Sequence, residues 1–216
     1  MLRVGLTGGV ASGKSTLAHL LGDLGAAVCD ADVVVEELYM PGRPGALAVQ
    51  ELFGWEALGA DGGVDRGALA RLVLTDAEAR RRLEQAVHPL VRKALDGWFS
   101  ALTHASTLPG VAVVEAALLV ETGAYRQQDR LIVVRAPFEV RRARALAAGW
   151  TEEKFAQLAD AQLDDATREA AADYVVRNEG GLDALERATR ELWSMLQEDA
   201  RLLATGKPLL PRRVIL

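Results

Sequence analysis

Short apolar runs and helical stripes alternate along the chain. LRVGLT at 2–7 is a mostly apolar run ending in glycines, the profile of a parallel strand buried on both faces. From Lys14 onward Leu17, Leu20, Leu21 and Leu24 recur at helical spacing, and Gly25 closes that helix. AAVCDA at 26–31 predicts a second strand, so the opening unit is strand, glycine-rich turn, helix and strand: one right-handed crossover. VAVVEAALLV (111–120), RLIVVRA (130–136) and DYVVRN (173–178) predict three more strands, with helical stretches between them. The pattern is that of a three-layer α/β core with a five-stranded parallel sheet.

Two segments break the alternation. Between Val33 and about Leu108 the periodicity is helical, as in GALARLVLTDAEARRRLEQAV, where Asp76 is placed to cap a helix; a mostly helical insertion follows the second strand. The other is 138–172, rich in charge and Ala between the fourth and fifth strands, where a movable lid is expected. A last amphipathic helix runs from about Leu182 to Leu203, and the tail GKPLLPRRVIL carries no readable pattern.

Composition narrows the function. A chain of 216 residues, half of it hydrophobic, buries a substantial core and is most simply one domain with insertions. A formal charge of −5 argues against general attraction to nucleic acid or an anionic membrane, so an anionic ligand must be held by a local cluster of donors. The single cysteine, Cys29, excludes an internal disulfide and reads as strand packing in a reducing compartment. MLRVGL leads straight into the glycine-rich turn, leaving no room for a secretory leader, and no apolar run approaches the ~20 residues of a membrane span. A cytoplasmic protein with no nucleic-acid, membrane or obligate protein partner is expected.

The chemistry starts at LTGGVASGKST, 6–16. Gly8-x4-Gly13-Lys14-Ser15 fits the phosphate-loop pattern and lies between a strand and a helix, as its mechanism requires. The glycines let backbone N–H groups turn inward around an anion at the positive end of the helix. Lys14 supplies charge to the β- and γ-phosphates, and the Ser15 hydroxyl is placed to ligate Mg²⁺. Asp30 and Asp32 would share one face if the strand persists, at the sheet end where ligands bind. A carboxylate there takes a proton from an attacking hydroxyl, helps hold Mg²⁺, or simply caps the helix beginning near Val33. Glu115 stands in an otherwise apolar strand, where a carboxylate is costly unless it serves a metal or its water shell, or reaches solvent at a strand end. HPLVR at 88–92 starts a new helix with Pro89 in its first position, which puts Arg92 against the macrodipole and suggests an anionic partner. Arg141 and Arg144, three apart, share a helix face in the lid segment, either as a solvated face or as the source of a transition-state arginine.

Together LTGGVASGKST, DAD at 30–32, PG at 41–42, HPLVR, LLVE at 118–121, the lid arginine, Gln162 and ADYVVRNEG at 172–180 follow the order and approximate spacing of the dephospho-coenzyme A kinases. The resemblance covers nearly the whole chain. It implies a nucleoside-monophosphate-kinase-like core (1–31 and 111–216), a helical acceptor-binding insertion (32–110) and a lid (138–167). It also implies ATP and Mg²⁺ as cofactors and dephospho-coenzyme A as the acceptor, phosphorylated on its ribose 3′-hydroxyl. Carried over by position, Gly8, Gly9, Val10, Ala11, Ser12, Gly13, Lys14, Ser15 and Thr16 hold ATP, with Asn178 in the loop near the adenine. Asp32 is the general base, and Lys14 and Arg144 complete the catalytic set. Thr7, Asp32, His88, Arg92, Glu121 and Arg168 contact the acceptor, and Ser15 and Glu115 the metal. The chain departs from the family where Pro usually precedes LLVE, which is Ala117 here, and where a second lid motif, commonly Arg-Asp, is Ala148 and Gly149. Rival readings are a kinase of the same architecture with another small acceptor, and a nucleotide-dependent switch that binds a protein.

Overall fold

The computed structural model of the chain describes residues 1–74, 76–105 and 108–216. β1 (Leu2–Gly8) leads through the glycine-rich loop into α1 (Lys14–Asp23) and β2 (Ala27–Asp30). Then come α2 (Ala31–Leu38), α3 (Pro44–Phe53), α4 (Arg66–Leu74) and α5 (Ala77–Thr103). β3 (Val111–Glu115), β4 (Arg130–Arg135), α6 (Phe138–Ala147), α7 (Glu152–Asp160) and α8 (Asp165–Ala171) follow. The chain ends with β5 (Tyr174–Arg177), α9 (Leu182–Ala204) and β6 (Val214–Ile215). Two compact units result: Met1–Cys29 with Ser106–Leu216, and Asp30–Ala105.

The first unit is built on a sheet ordered β2-β3-β1-β4-β5-β6. β1 pairs in parallel with β3 and β4, β4 with β5, and β5 with β6. The period of two sorts the β4 side chains between two cores. Ile132 and Val134 join Leu2, Val4 and Leu6 under Leu17 and Leu21 of α1 and Leu185, Leu192 and Leu196 of α9. Leu131 and Val133 face the other way, onto Leu119, Ala172 and Val175. Both faces are therefore covered, which is why the strands read as unbroken apolar runs. Each fully buried Leu contributes about 1.5–3 kcal/mol relative to exposure.

Two expectations are corrected here. β3 ends at Glu115 rather than at Val120. Leu119 and Val120 are apolar because they pack a turn onto the sheet, and a continuous apolar run does not distinguish such a turn from a strand. The sheet has six strands, not five, because the tail adds β6: Val214 pairs in register with Tyr174 and Ile215 with Val175. A two-residue strand after two prolines has no periodicity to read.

A buried polar network holds that tail. Arg130 donates to the fully buried Asp199 from Nε at 2.7 Å, and Tyr174 donates its hydroxyl to the same carboxylate at 2.7 Å. Arg212 of the tail in turn donates to the Tyr174 oxygen at 2.7 Å. Burial and the Asp199 contact push the Tyr174 phenol up to about 12, so it stays protonated and donates. Burial alone would raise the Asp199 carboxyl, but the bonds from Arg130 and Tyr174 hold it below the usual carboxylate value. A depressed carboxylate contributes stability above its unfolded pKa of about 3.9 and loses it as pH falls through the lower folded value. Arg130 also pairs with Asp173 at 3.1 Å, so we expect Asp199→Asn, which removes one of its two carboxylates, to destabilise the fold at pH 7 by somewhat less than the roughly 3–5 kcal/mol of a fully unpaired buried charge. Thermal melts at pH 7 and below pH 4 should show that deficit shrinking on acidification; a constant deficit would contradict the ionic account.

The second unit, Asp30–Ala105, is helical, with Val49, Ala57 and Leu69 at its centre against Tyr39, Phe53, Leu72 and Leu83. Asp76 caps α5 as expected, accepting from Glu78 and Ala79 at 2.9 and 3.0 Å. No helix starts at His88, however. α5 runs unbroken from Ala77 to Thr103 with Pro89 inside it. A proline there costs the Gln85 carbonyl its partner, worth ~3 kcal/mol in a helix interior. Gln85 is exposed, so water can serve that carbonyl, and packing of α5 on α2, α3 and α4 retains the helix. Among the described residues no helix is long and apolar enough to cross a membrane.

Candidate active site

The glycine-rich loop occupies the carboxyl end of β1, and its shape follows from a few local requirements. Gly13 lies at φ 97°, and the Asn178 amide occupies the space a Cβ would need, so only glycine fits. Ala11 also adopts a left-handed conformation, φ 56°, at a cost of ~1 kcal/mol that the surrounding contacts must offset. Ser12 turns back to donate its N–H to the Gly9 carbonyl at 3.1 Å. α1 then begins at Lys14 with no acidic residue in its first turn, so its positive end is left for an anion. Lys14 Nζ donates to the Gly9 carbonyl at 3.3 Å, across the mouth of the loop.

Ser15 donates its hydroxyl to Glu115 Oε1 at 2.7 Å. Glu115 is the last residue of β3, opposite Leu6 in the register, and is 7 % exposed. Its carboxylate therefore stands at a strand end and yet is buried, which joins the two explanations that the sequence left open. Among the described residues there is no group of three or more His, Cys, Asp and Glu arranged around a metal position. A hydroxyl and one carboxylate are instead the oxygen donor set that suits Mg²⁺ when phosphates supply further ligands.

Asn178 and Arg144 close the other side of the loop. Asn178 Nδ2 donates to the Ser12 carbonyl at 2.8 Å, and Arg144 Nη2 donates to the Asn178 carbonyl at 3.1 Å and its Oδ1 at 3.3 Å. Arg144 Nη1 reaches the Ser12 carbonyl at 3.4 Å, so the guanidinium is already beside the loop. Arg141, on the same face of α6, has a different fate. It is 6 % exposed, donates Nε to the Ala136 carbonyl at 3.1 Å and pairs with Asp165 at 3.4 Å. Burial pushes its guanidinium below the ordinary arginine value, with Asp165 opposing. A side chain committed in this way does not stand in for Arg144. Arg142 points outward to Glu139 and Glu152.

Thr7 donates to the Ala117 carbonyl at 3.3 Å. Glu121 accepts the Leu163 N–H at 3.1 Å and lies 3.7 Å from Arg168, whose other partner is Asp165 at 2.6 Å. Arg168 is 2 % exposed, and its Nε and Nη1 lack hydrogen-bond partners, as does Oε2 of Glu121. Buried polar groups are rarely left so, and this cluster has bonds for a ligand or water to complete, as do Ser12 Oγ in the loop and Gln128 Oε1.

The remaining residues singled out from the sequence lie in the helical unit. The strand does not persist to Asp32, so Asp30 and Asp32 do not alternate along one strand face. Asp30 ends β2 and is the cap of α2, accepting the Asp32 N–H at 2.8 Å, which leaves Asp32 in the first helical turn. His88 and Arg92, four apart in mid-α5, line with Pro89, Lys93 and Asp96 an open depression of about 330 Å³. Arg92 is thus not in a first turn, and the macrodipole argument for an anionic partner lapses; the cationic lining of the depression takes its place.

Beyond the site, known proteins match almost the whole chain. The family model for dephospho-CoA kinase (CoaE) matches residues 2–184. The chain belongs to the dephospho-CoA kinase family. A dephospho-CoA kinase of Frankia casuarinae is 42 % identical over 94 % of this chain and 88 % of its own length. The crystal structure of TT1252 from Thermus thermophilus superposes with a TM-score of 0.73 at 32 % identity, covering 90 % of this chain and 97 % of that one. The dephospho-CoA kinase of Campylobacter jejuni shares the fold, with a TM-score of 0.67 at 23 % identity over 91 % of this chain and 98 % of its own. As a dephospho-CoA kinase the chain is an ATP-dependent phosphotransferase with an alcohol acceptor, which removes the switch reading.

Within this dephospho-CoA kinase, sequence reasoning missed two contacts of the loop. Gln162 accepts the Val10 N–H at 2.7 Å, and Arg141 lies against Gly9. The order of Gln162 among the family motifs flagged the residue without a role; nothing in the spacing pointed to Arg141 as a buried group.

Proposed function

We propose that this kinase transfers the ATP γ-phosphoryl group to the ribose 3′-hydroxyl of dephospho-coenzyme A, with the residue roles that follow. The observation that carries the reading is the Ser15–Glu115 hydrogen bond beside Lys14, at the carboxyl ends of adjacent parallel strands. Gly8–Thr16 cradle the phosphates with inward N–H groups, and Lys14 carries charge to the β- and γ-positions. Ser15 and Glu115 would hold Mg²⁺, which would supply charge neutralisation to the β- and γ-phosphates. Asn178 supports the loop wall beside the adenine and carries Arg144. Thr7, Glu121 and Arg168 belong to the acceptor side, and within the 32–110 insertion Arg92 offers a cation, and His88 a ring nitrogen, to an acceptor phosphate. The segment 138–167 serves as the lid. The protein works in the cytoplasm without an obligate protein partner.

Asp32 is assigned as the base that orients and deprotonates the 3′-hydroxyl. Its N–H is engaged by Asp30, which fixes the start of α2, and Asp30 is thereby accounted for as a cap. Asp32→Asn keeps size but takes no proton, so kcat should fall by roughly 10²-fold or more with ATP affinity little changed. If Asp30→Asn is the more damaging of the two in steady-state assays, the roles are reversed.

The test of the reaction itself is an acceptor screen with Mg·ATP, reading ADP release for dephospho-coenzyme A, adenosine, AMP, gluconate and shikimate. Dephospho-coenzyme A should stand alone above buffer. ADP release at buffer level with that acceptor would refute the assignment.

A further inference from the structure

A phosphate loop binds its ligand through N–H groups that point inward. One N–H of this loop is used elsewhere: Val10 donates to Gln162 Oε1 at 2.7 Å across 152 positions of sequence. The other end of the same amide donates from Nε2 to the Ala117 carbonyl at 3.4 Å, the oxygen that also accepts from Thr7. The next residue, Leu163, gives its N–H to Glu121. The turn between α7 and α8 is therefore docked at two points on the segment that follows β3, and from there it reaches the loop. Beside it, the Arg141 guanidinium lies so close to Gly9 that a Cβ there would come within 2.6 Å of Nη1. Gly9 and Val10 are held from outside by two side chains of the α6–α8 segment.

We propose that Gln162 is a positioning residue for ATP: by holding the Val10 N–H it pre-forms the phosphate loop and makes the loop's shape depend on docking of the α7–α8 turn. The inference rests on the assignment of Gly8–Thr16 to the ATP phosphates. Its physical basis is entropic. Ordering a backbone residue costs conformational entropy, and a loop with glycines at its start has more freedom to lose than most. A loop already held at Gly9 and Val10 spares ATP that cost at binding, which is the usual gain from preorganisation. Arg141 provides the second point, but it is buried, and its removal risks the fold. Gln162 is half-buried and open to substitution.

Two variants separate its two bonds. Gln162→Ala loses both. Gln162→Glu keeps an oxygen for the Val10 N–H but has no hydrogen to give Ala117. ATP affinity, measured by calorimetric titration without acceptor, should weaken roughly five- to tenfold in Gln162→Ala, the size of one lost hydrogen bond. KM for dephospho-coenzyme A should stay within about twofold, because that ligand makes no use of the loop amides. The melting temperature should hold within about 2 °C, since both lost bonds are only part-buried. Gln162→Glu keeps the Val10 acceptor but adds a charge that repels the phosphates, so its affinity deficit relative to the wild type should shrink as ionic strength rises, whereas that of Gln162→Ala should not. Unchanged ATP affinity in Gln162→Ala, a Gln162→Glu deficit that salt leaves as large as that of Gln162→Ala, or a fall in melting temperature with equal loss toward both substrates would each overturn the proposal. Lys14→Ala is the control. Undiminished ATP affinity there removes the phosphate assignment and the proposal with it, whereas a loss there beside an unaffected Gln162→Ala removes the Gln162 role alone.

Discussion

Lys14→Ala should bring phosphoryl transfer down by roughly 10²–10³-fold or more, the loss typical of removing one preorganised charge from a developing transition state. The argument starts from a local cost. Lys14 is the first residue of α1, where an ammonium opposes the helix dipole, and its Nζ donates to the Gly9 carbonyl at 3.3 Å. A cation in that position is accounted for by an anion at the loop, which both the dipole and the inward N–H groups also favour. Because the fold of α1 depends on Leu17 and Leu21 and not on Lys14, the variant should melt near the wild type while its turnover collapses. Near-native rates in Lys14→Ala would mean that Gly8–Thr16 is not the phosphate site.

The second large effect belongs to Arg144. A loose, charge-spread transition state gains most from a guanidinium close to the transferring group, and such arginines are worth about 10³-fold or more. The turn at Ala148 and Gly149 carries no charge, so on the proposed reading more of that burden falls on Arg144. Asn178 holds Arg144 beside the loop through its carbonyl and Oδ1, so the side chain is aimed before ATP arrives. We expect Arg144→Ala to lower kcat and kcat/KM together by about that factor, the signature of an interaction made mainly in the transition state. Arg142→Ala should be nearly silent, since its partners Glu139 and Glu152 are exposed surface groups. A rise in KM for ATP with kcat intact would make Arg144 a ground-state anchor instead. Arg141 needs separate treatment: its bonds to Ala136 and Asp165 are part of the fold, so a double variant with Arg144 would mix catalysis with stability.

Much of this site is legible because its parts are local. Gly8 to Thr16 must be a strand–loop–helix unit to work, and glycine spacing, the Leu stripe of α1 and the apolar run of β1 all lie within about two dozen residues. Asp76 as a cap of α5 is likewise decided by neighbours two and three positions away. Such features rest on backbone dihedrals and on hydrogen bonds with short sequence separation, and the residue types that satisfy them are few.

Where packing overrode local preference, the pattern misled. Pro89 has the form of a helix start, yet α5 passes through it because contacts with α2, α3 and α4 outweigh one lost hydrogen bond. Leu118 to Val120 extend an apolar run without extending a strand, since burial can be met by a turn as well as by a sheet. The tail became β6 through the edge of β5 and through Tyr174, which accepts from Arg212 of the tail, partners that lie dozens of residues away.

The amino-acid sequence by itself determined the layered α/β class, the phosphate loop and, through the order of its motifs, the kinase family, because each is encoded in periodicity or in short spacing. Only the tertiary structure decided that Arg141 is buried while Arg144 lies at the loop, that Glu115 meets Ser15, and that Gln162 reaches Val10. Those pairings span 100 positions for Ser15 and Glu115 and 152 for Val10 and Gln162. Nothing in the local chemistry of either partner selects the other; they meet because the parallel sheet brings the carboxyl ends of its strands together and the helices that cover it return α6 to α8 to the same edge.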